Sequence, residues 1–436
     1  MGSVAGSIGR LAQLARSETR RTLTNSLIGL LLSFGCGVLS ARLLGPADRG
    51  VLSLTLVVTT TAAMVAALGS NVALRVAANA DPRMLVRGYV QVSAMLLVLQ
   101  AVLASSGMVL LYAILEPRTP LPVLVAWGVA VGLSAFVAQQ TLDGLNSIGR
   151  TATSALAGAS GSAATLVVLT LATLLNAGLE ASLLGYVVGF VVCTAHAMLA
   201  YRRSGPTIVE ASGQRGGGFD LVRRGMPLLG LNLGQALALK LDQLVVGALS
   251  GPAAAGIYAV AAAHALPTQA SSFSIGQIVL HRSARGTLTR VGLAQFLGLG
   301  AGLAIVACLL VWLLAPWLVP AVFGAGFRSS VDVLRVLMLG QIALVPYLIC
   351  SRVVAGRGQS LLASLSGMGL LLLLGGLLGL LTPRNGPVGA AWAVTLAFTL
   401  AAVVMVVATV LTSSPGRTLQ AASTPPGALE KSVELA

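Results

Sequence analysis

With 27 Lys and Arg against 12 Asp and Glu in 436 residues, charged side chains make up only 9% of the chain, and the mean hydropathy is +0.92. Soluble domains carry roughly a quarter charged residues, so a soluble enzyme is excluded and nearly the whole chain reads as membrane. The net charge of +15 then becomes a matter of where the arginines fall between spans, and no nucleic-acid partner is needed to explain it.

Residues 1–22 form an arginine-bearing arm whose scattered apolar positions (Ile8, Leu11, Leu14) suit a short interfacial helix or a disordered arm. The first hydrophobic run begins after it and is long enough to span, so a cleavable signal peptide is not expected. Twelve hydrophobic stretches near or above the ~20 residues that cross a bilayer recur at about 23–44, 51–74, 88–115, 121–142, 151–175, 179–201, 221–249, 253–280, 291–315, 331–351, 360–382 and 387–411. Six make an N-terminal bundle (23–201) and six a C-terminal one (221–411), joined by a polar linker at 202–220. Residues 412–436, rich in Ser, Thr and Pro, read as a disordered tail.

The two bundles are built on one plan. Gly45-Pro46-Ala47-Asp48-Arg49-Gly50 in the first half matches Gly251-Pro252-Ala253-Ala254-Ala255-Gly256 in the second, each joining two long apolar segments as a tight hairpin. The expected fold is therefore an all-α polytopic membrane protein of about 12 transmembrane helices in two repeated six-helix bundles. Because each half holds an even number of helices, the halves share one orientation and are related by an axis along the membrane normal.

Alternate loops differ sharply in charge. Twenty Lys and Arg, Arg352 and Arg357 among them, fall on the side of the termini and linker, against Arg49, Arg118, Arg328 and Arg384 on the other. By the positive-inside rule both termini and the linker are cytoplasmic. The same arginines suit contact with anionic membrane lipids, although topology alone accounts for them.

Several function classes find no residues. The two lysines, Lys240 and Lys431, close no Gly-x-x-x-x-Gly-Lys-Ser/Thr loop, so nucleotide hydrolysis is not expected and any pumping draws on an ion, voltage or substrate gradient. Cys36, Cys193, Cys308 and Cys350 lie singly in expected helices, and His196, His264 and His281 lack metal-ligand spacing, so neither a disulfide, a metal nor a cofactor is expected. The outer loops are short, the longest at roughly 316–330, which argues against an outer-leaflet glycan polymerase or ligase and for a protein that is not an enzyme.

The runs ARLLGPADRG (Ala41 to Gly50), ALGSNVALRVAA (Ala67 to Ala78), KLDQLVVGALSGPAAAGIYAVAAA (Lys240 to Ala263), VDVLRVLMLGQI (Val331 to Ile342), the Gly356-Arg357 turn and GPVGAAWAV (Gly386 to Val394) carry a family resemblance. From about residue 20 to 410 the chain resembles polysaccharide flippases of the Wzx type, in the multidrug/oligosaccharidyl-lipid/polysaccharide exporter superfamily. The resemblance implies alternating-access movement of a polyprenyl-pyrophosphate-linked oligosaccharide across the bacterial cytoplasmic membrane for cell-surface polysaccharide biosynthesis. It also implies glycan-assembly proteins as partners. A cation-coupled drug exporter of the same superfamily is the alternative, although it calls for carboxylates deep in the first half, where Asp48, Asp81 and Asp143 all sit at helix ends.

The residues themselves point to the seventh span. At about 1.5 Å per residue, Lys240 lies roughly 15 Å and Asp242 roughly 12 Å below Ser250, near the middle of a ~30 Å core. Asn232, Gln235, Lys240, Asp242 and Gln243 share an arc of about 160°, so one face is polar. Two readings stay open. In one, Lys240 meets a pyrophosphate or anionic sugar while Asp242 meets sugar hydroxyls or a coupling cation, H⁺ or Na⁺. In the other, the same groups orient the helix through interhelical hydrogen bonds. Arg42, a turn below the outer end of the first span, joins the candidate cavity residues or snorkels to the interface. His264 in the eighth span reads as a proton-sensitive gate or a hydrogen-bonded core histidine. The stripe Asn25, Gly29, Ser33, Cys36, Ser40 on the first span reads as a close-packing face.

Overall fold

The computed structural model describes the backbone of residues 2–68, 82–115, 117, 119–203 and 218–412, and side chains within 20–68, 93–115, 119–202 and 233–412 apart from 270, 281 and 360. The expectations for Arg75, Asp81, the side chains of Asn232 and His281, most of the 202–220 linker and the 413–436 tail lie outside the described residues.

Nine α-helices occupy the described residues: α1 (Gly2–Ala66), α2 (Pro82–Leu115), α3 (Leu121–Ser147), α4 (Thr151–Leu174), α5 (Leu179–Arg203), α6 (Gly218–Ala284), α7 (Arg290–Phe323), α8 (Ser330–Gly356) and α9 (Ser360–Leu411). All nine are long and apolar enough to cross a membrane. Three of them are double: α1, α6 and α9 fold back at Gly45, Gly251 and Gly386, which gives the twelve spans that the hydropathy marks out. The arm differs from its expectation, since α1 is helical from Gly2 straight into the first span. The expected long loop at 316–330 is also shorter, because α7 continues to Phe323 and a 3₁₀ turn, Ala325–Phe327, leads into α8.

Each hairpin has the same chemistry. Gly45 (φ 67°, ψ −178°), Gly251 (φ 83°, ψ 174°) and Gly386 (φ 54°, ψ −140°) all precede a proline. The proline ring keeps the preceding residue out of the α region, and only glycine combines that extended ψ with a positive φ without a Cβ clash. The proline then starts the next helix, where its missing N–H is no loss.

The first half packs through small residues. Asn25 donates to the Ala152 carbonyl (2.9 Å), Gly29 faces Ala159, the Ser33 and Ser162 hydroxyls meet at 3.0 Å and the Cys36 thiol reaches the Ser162 carbonyl (3.4 Å). The stripe on the first span is thus the surface against which α4 docks, as its small side chains suggest. In the second half, α8 is the central helix: from Ser330 to Val354 most of its side chains are buried among α6, α7 and α9.

The halves meet at the hairpins. Ala255 sits in the core of the first half with Val51 and Leu52, and Ala41 sits in the core of the second with Val319 and Phe323. A Cβ added at Gly50 would overlap the Pro252 carbonyl, and one at Gly256 would overlap the Pro46 carbonyl. The repeated motifs therefore touch backbone to backbone, each glycine seated on the other motif's proline. Below this contact the Ser53 hydroxyl donates to Gln243 Oε1 (3.2 Å) and Leu54 packs on Gly247. On the terminal side of that seam the halves diverge around a cavity.

Candidate functional site

The cavity has a volume of about 460 Å³ and is walled by the second limb of α1, the later turns of α3, both limbs of α6, and α8 and α9. An adjoining recess of about 340 Å³ extends toward the first limb of α1 and α5 and shares Lys240, Gln243, Ala262 and Leu266 with it. Such volumes are those of small-molecule and headgroup sites.

Lys240 lines both spaces, half-buried, and makes no hydrogen bond among the described residues. Asp242 is 7% exposed and its carboxylate accepts from the Tyr258 hydroxyl (2.7 Å) and the Gln243 N–H (2.8 Å). The carboxylate is thus tied to the second limb of its own hairpin rather than to Lys240, as the two-residue spacing requires. Gln235 is also in the wall. Its amide nitrogen donates to the Tyr347 hydroxyl (3.3 Å) and Ser351 Oγ (3.2 Å), and its carbonyl accepts from Arg352 (3.2 Å). Gln235 is therefore a positioning residue that orients a guanidinium.

Two arginines that the charge count assigns to loops belong to this site. Arg352 is 9% exposed and lines the cavity from α8. Arg49 is 7% exposed and lines the recess, with Nε and Nη1 buried and without hydrogen-bond partners. A signal for the first exists in the sequence: Gly356-Arg357-Gly358 ends α8, which leaves Arg352 one turn inside a span. Arg49 has no such signal, because only the seating of Gly50 against Pro252 turns the beginning of that limb inward.

Arg42 stands apart from the cavity. It is exposed, and its Nε and Nη2 donate to the Val322 (2.7 Å) and Ala321 (2.5 Å) carbonyls at the end of α7. These carbonyls are the helix-terminal acceptors that lack an intrahelical partner, so Arg42 links the first half to the second on the hairpin side. His264 bonds through Nδ1 to the Val260 carbonyl (2.8 Å), packs edge-on against Phe34 (5.7 Å) and lies tilted against Phe323 (5.4 Å). No group of His, Cys, Asp or Glu that would hold a metal occurs among the described residues.

Residues 19–281, more than half of the chain, match the family model described as polysaccharide biosynthesis protein. The chain belongs to that family. No curated protein matches it. Among solved structures, an inward-facing multidrug resistance MATE transporter of the MOP superfamily superposes with a TM-score of 0.62 at 16% identity, covering 90% of this chain and 94% of that one. The lipid II flippase MurJ in an inward closed conformation gives a TM-score of 0.69 at 13% identity, covering 90% and 87%. A MOP-superfamily transporter from Pyrococcus furiosus, described as having a binding pocket of reverse polarity, gives 0.58 at 16% identity, covering 91% and 95%. This member of the polysaccharide biosynthesis family thus has the two-lobed, twelve-span fold of membrane transporters and of a lipid flippase.

Proposed function

We propose that the protein is a flippase for a polyprenyl-pyrophosphate-linked oligosaccharide, carrying it across the bacterial cytoplasmic membrane by alternating access. The observation that carries this reading is the charge of the cavity and its recess: Arg352 lines the cavity, Arg49 the recess and Lys240 both, against Asp242 as the one lining carboxylate among the described residues. A buried cation is costly unless a counter-charge meets it; Lys240 makes no hydrogen bond among the described residues, and the diphosphate of such a lipid supplies negative oxygens to it and to the two guanidinium groups. A pyrophosphate linked at both ends carries one charge per phosphate, which matches the two positive charges that remain after Asp242 is counted. A drug exporter handling cations would need the opposite balance, so the cavity supports the lipid-linked glycan over that alternative.

In this reading the hairpin side faces outward, the termini lie in the cytoplasm, and the closed hairpins describe the inward-facing half of the cycle. Asp242 is the candidate for the coupling cation, H⁺ or Na⁺, because it is the carboxylate in the cavity wall and its Tyr258 partner lies across the hairpin. Lys240→Ala is expected to abolish outer-leaflet delivery of lipid-linked glycan at unchanged protein abundance, with Lys240→Arg retaining part of it. Arg49→Ala should behave like Lys240→Ala, since both face the recess. Normal delivery by both alanine variants would overturn the reading.

A further inference from the structure

The cavity wall formed by α8 carries a feature that the pyrophosphate does not explain. Gln341, on α8, is 2% exposed, lines the cavity, and its Oε1 is buried without a hydrogen-bond partner. The neighbouring hydroxyl cannot supply one. A Cβ at Gly340 would come within 2.9 Å of Thr395 Oγ1, so α8 and α9 are in near contact there, but Thr395 bonds back to the Val336 and Ala391 carbonyls at 3.0 Å each. Oε1 accepts only, and a buried acceptor left unpaired in an apolar wall is a standing penalty. It calls for a neutral O–H or N–H on the molecule that fills the cavity. Phe398 lines the same cavity from α9, and Gln269 lines it from the second limb of α6. An amide, an aromatic side chain and a second amide are the furniture of a site for a polyhydroxylated ring, with C–H edges against the aromatic surface and hydroxyls against the amides.

We infer that Gln341 is the centre of a subsite for a neutral sugar, the glycan residue joined to the pyrophosphate, and that it makes the protein selective against an acidic sugar at that position. The inference rests on the flippase reading and adds the chemistry of the first sugar to it. Charge balance points the same way. The two positive charges left over in the cavity are met by the two phosphates, and a further carboxylate on the first sugar would enter a low-dielectric wall with no cation left to balance it.

The test is equilibrium binding to the full chain in lipid nanodiscs, with probes that differ only at the second ester of a farnesyl pyrophosphate: methyl, a set of neutral hexosyl groups (glucosyl, galactosyl, N-acetylglucosaminyl) and glucuronosyl. At least one neutral hexosyl probe should bind about tenfold or more tighter than the methyl probe, the gain of a well-made buried hydrogen bond. The glucuronosyl probe should gain nothing. Gln341→Leu, close in volume, should erase the hexosyl gain and leave methyl-probe binding unchanged, which also reports that the variant is folded. The subsite is overturned if no hexosyl probe exceeds the methyl probe, if Gln341→Leu keeps the preference, or if the glucuronosyl probe is preferred. In those three cases the methyl probe still binds and the flippase reading stands. If the methyl probe itself fails to bind the native chain, the flippase reading falls and the subsite with it.

Discussion

Asp242 and Tyr258 lie nine residues before and seven after Gly251, so a tight hairpin brings them nearly level and their 2.7 Å bond follows from the turn. The sequence therefore holds this pairing, although helical periodicity within one span does not express it. A hydrogen bond to a charged group contributes about 1.5–3 kcal/mol, and Tyr258→Phe should lower unfolding stability in detergent by that order. Asp242→Asn keeps the shape and an acceptor for the Tyr258 hydroxyl, so it should fold nearly as well. Its deficit should appear in flipping by proteoliposomes under imposed H⁺ or Na⁺ gradients. An Asp242→Asn protein with native rates and a native response to both gradients would remove this carboxylate from coupling. Gln341 and Arg49 mark the opposite case: nothing near them in the chain distinguishes a wall residue from a lipid-facing or loop residue, because spans apolar on every side leave no polar face to read.

The hairpin is the element through which the repeat acts. Gly45 and Gly251 are legible from their prolines, and the structure adds a third such turn at Gly386 and what Gly50 and Gly256 are for: each is the one residue small enough to seat on the proline carbonyl of the other motif. Replacing Gly251 by Ala places a side chain at φ 83°, a conformation that costs about 1–3 kcal/mol for a residue with a Cβ, and should lower stability accordingly. Gly50→Ala or Gly256→Ala acts differently, since both glycines have ordinary helical backbones and only their contact is lost. Either change should part the hairpins and shift the protein away from the state described above. The measurement is labelling of Ser53→Cys, a 7% exposed position just below the seam, by an impermeant thiol reagent applied from the hairpin side. Labelling should be slow in the native background and fast with Gly50→Ala. The four native cysteines are buried, which keeps the background low. Equal rates in the two backgrounds would mean that the motifs do not hold the seam closed.

Orientation belongs to the whole molecule, because it depends on all loops at once. The structure moves Arg49 and Arg352 from loops into the cavity, one from each side of the charge count, so the remaining Lys and Arg are as unequally divided as before. What misled the count was its assumption that every arginine near a span end is a topogenic charge. The imbalance is little altered by this, since the positive-inside bias is a sum over short loops and tolerates single misassignments. The twelve-span reading survives for a related reason: removing any one span would reverse the sides of every later loop and mix the two charge classes. The orientation then makes a definite prediction for two described turns. Ala253, exposed in the second hairpin, and Thr289, exposed in the turn before α7, lie at opposite ends of the second limb of α6. Ala253→Cys should react with an impermeant thiol reagent in intact cells, whereas Thr289→Cys should react only after the cells are opened. The reverse pattern would place the termini outside and invert the proposed direction of transport. Reaction of both from outside would mean that the segment between them does not cross the membrane, which would undo the twelve-span architecture itself.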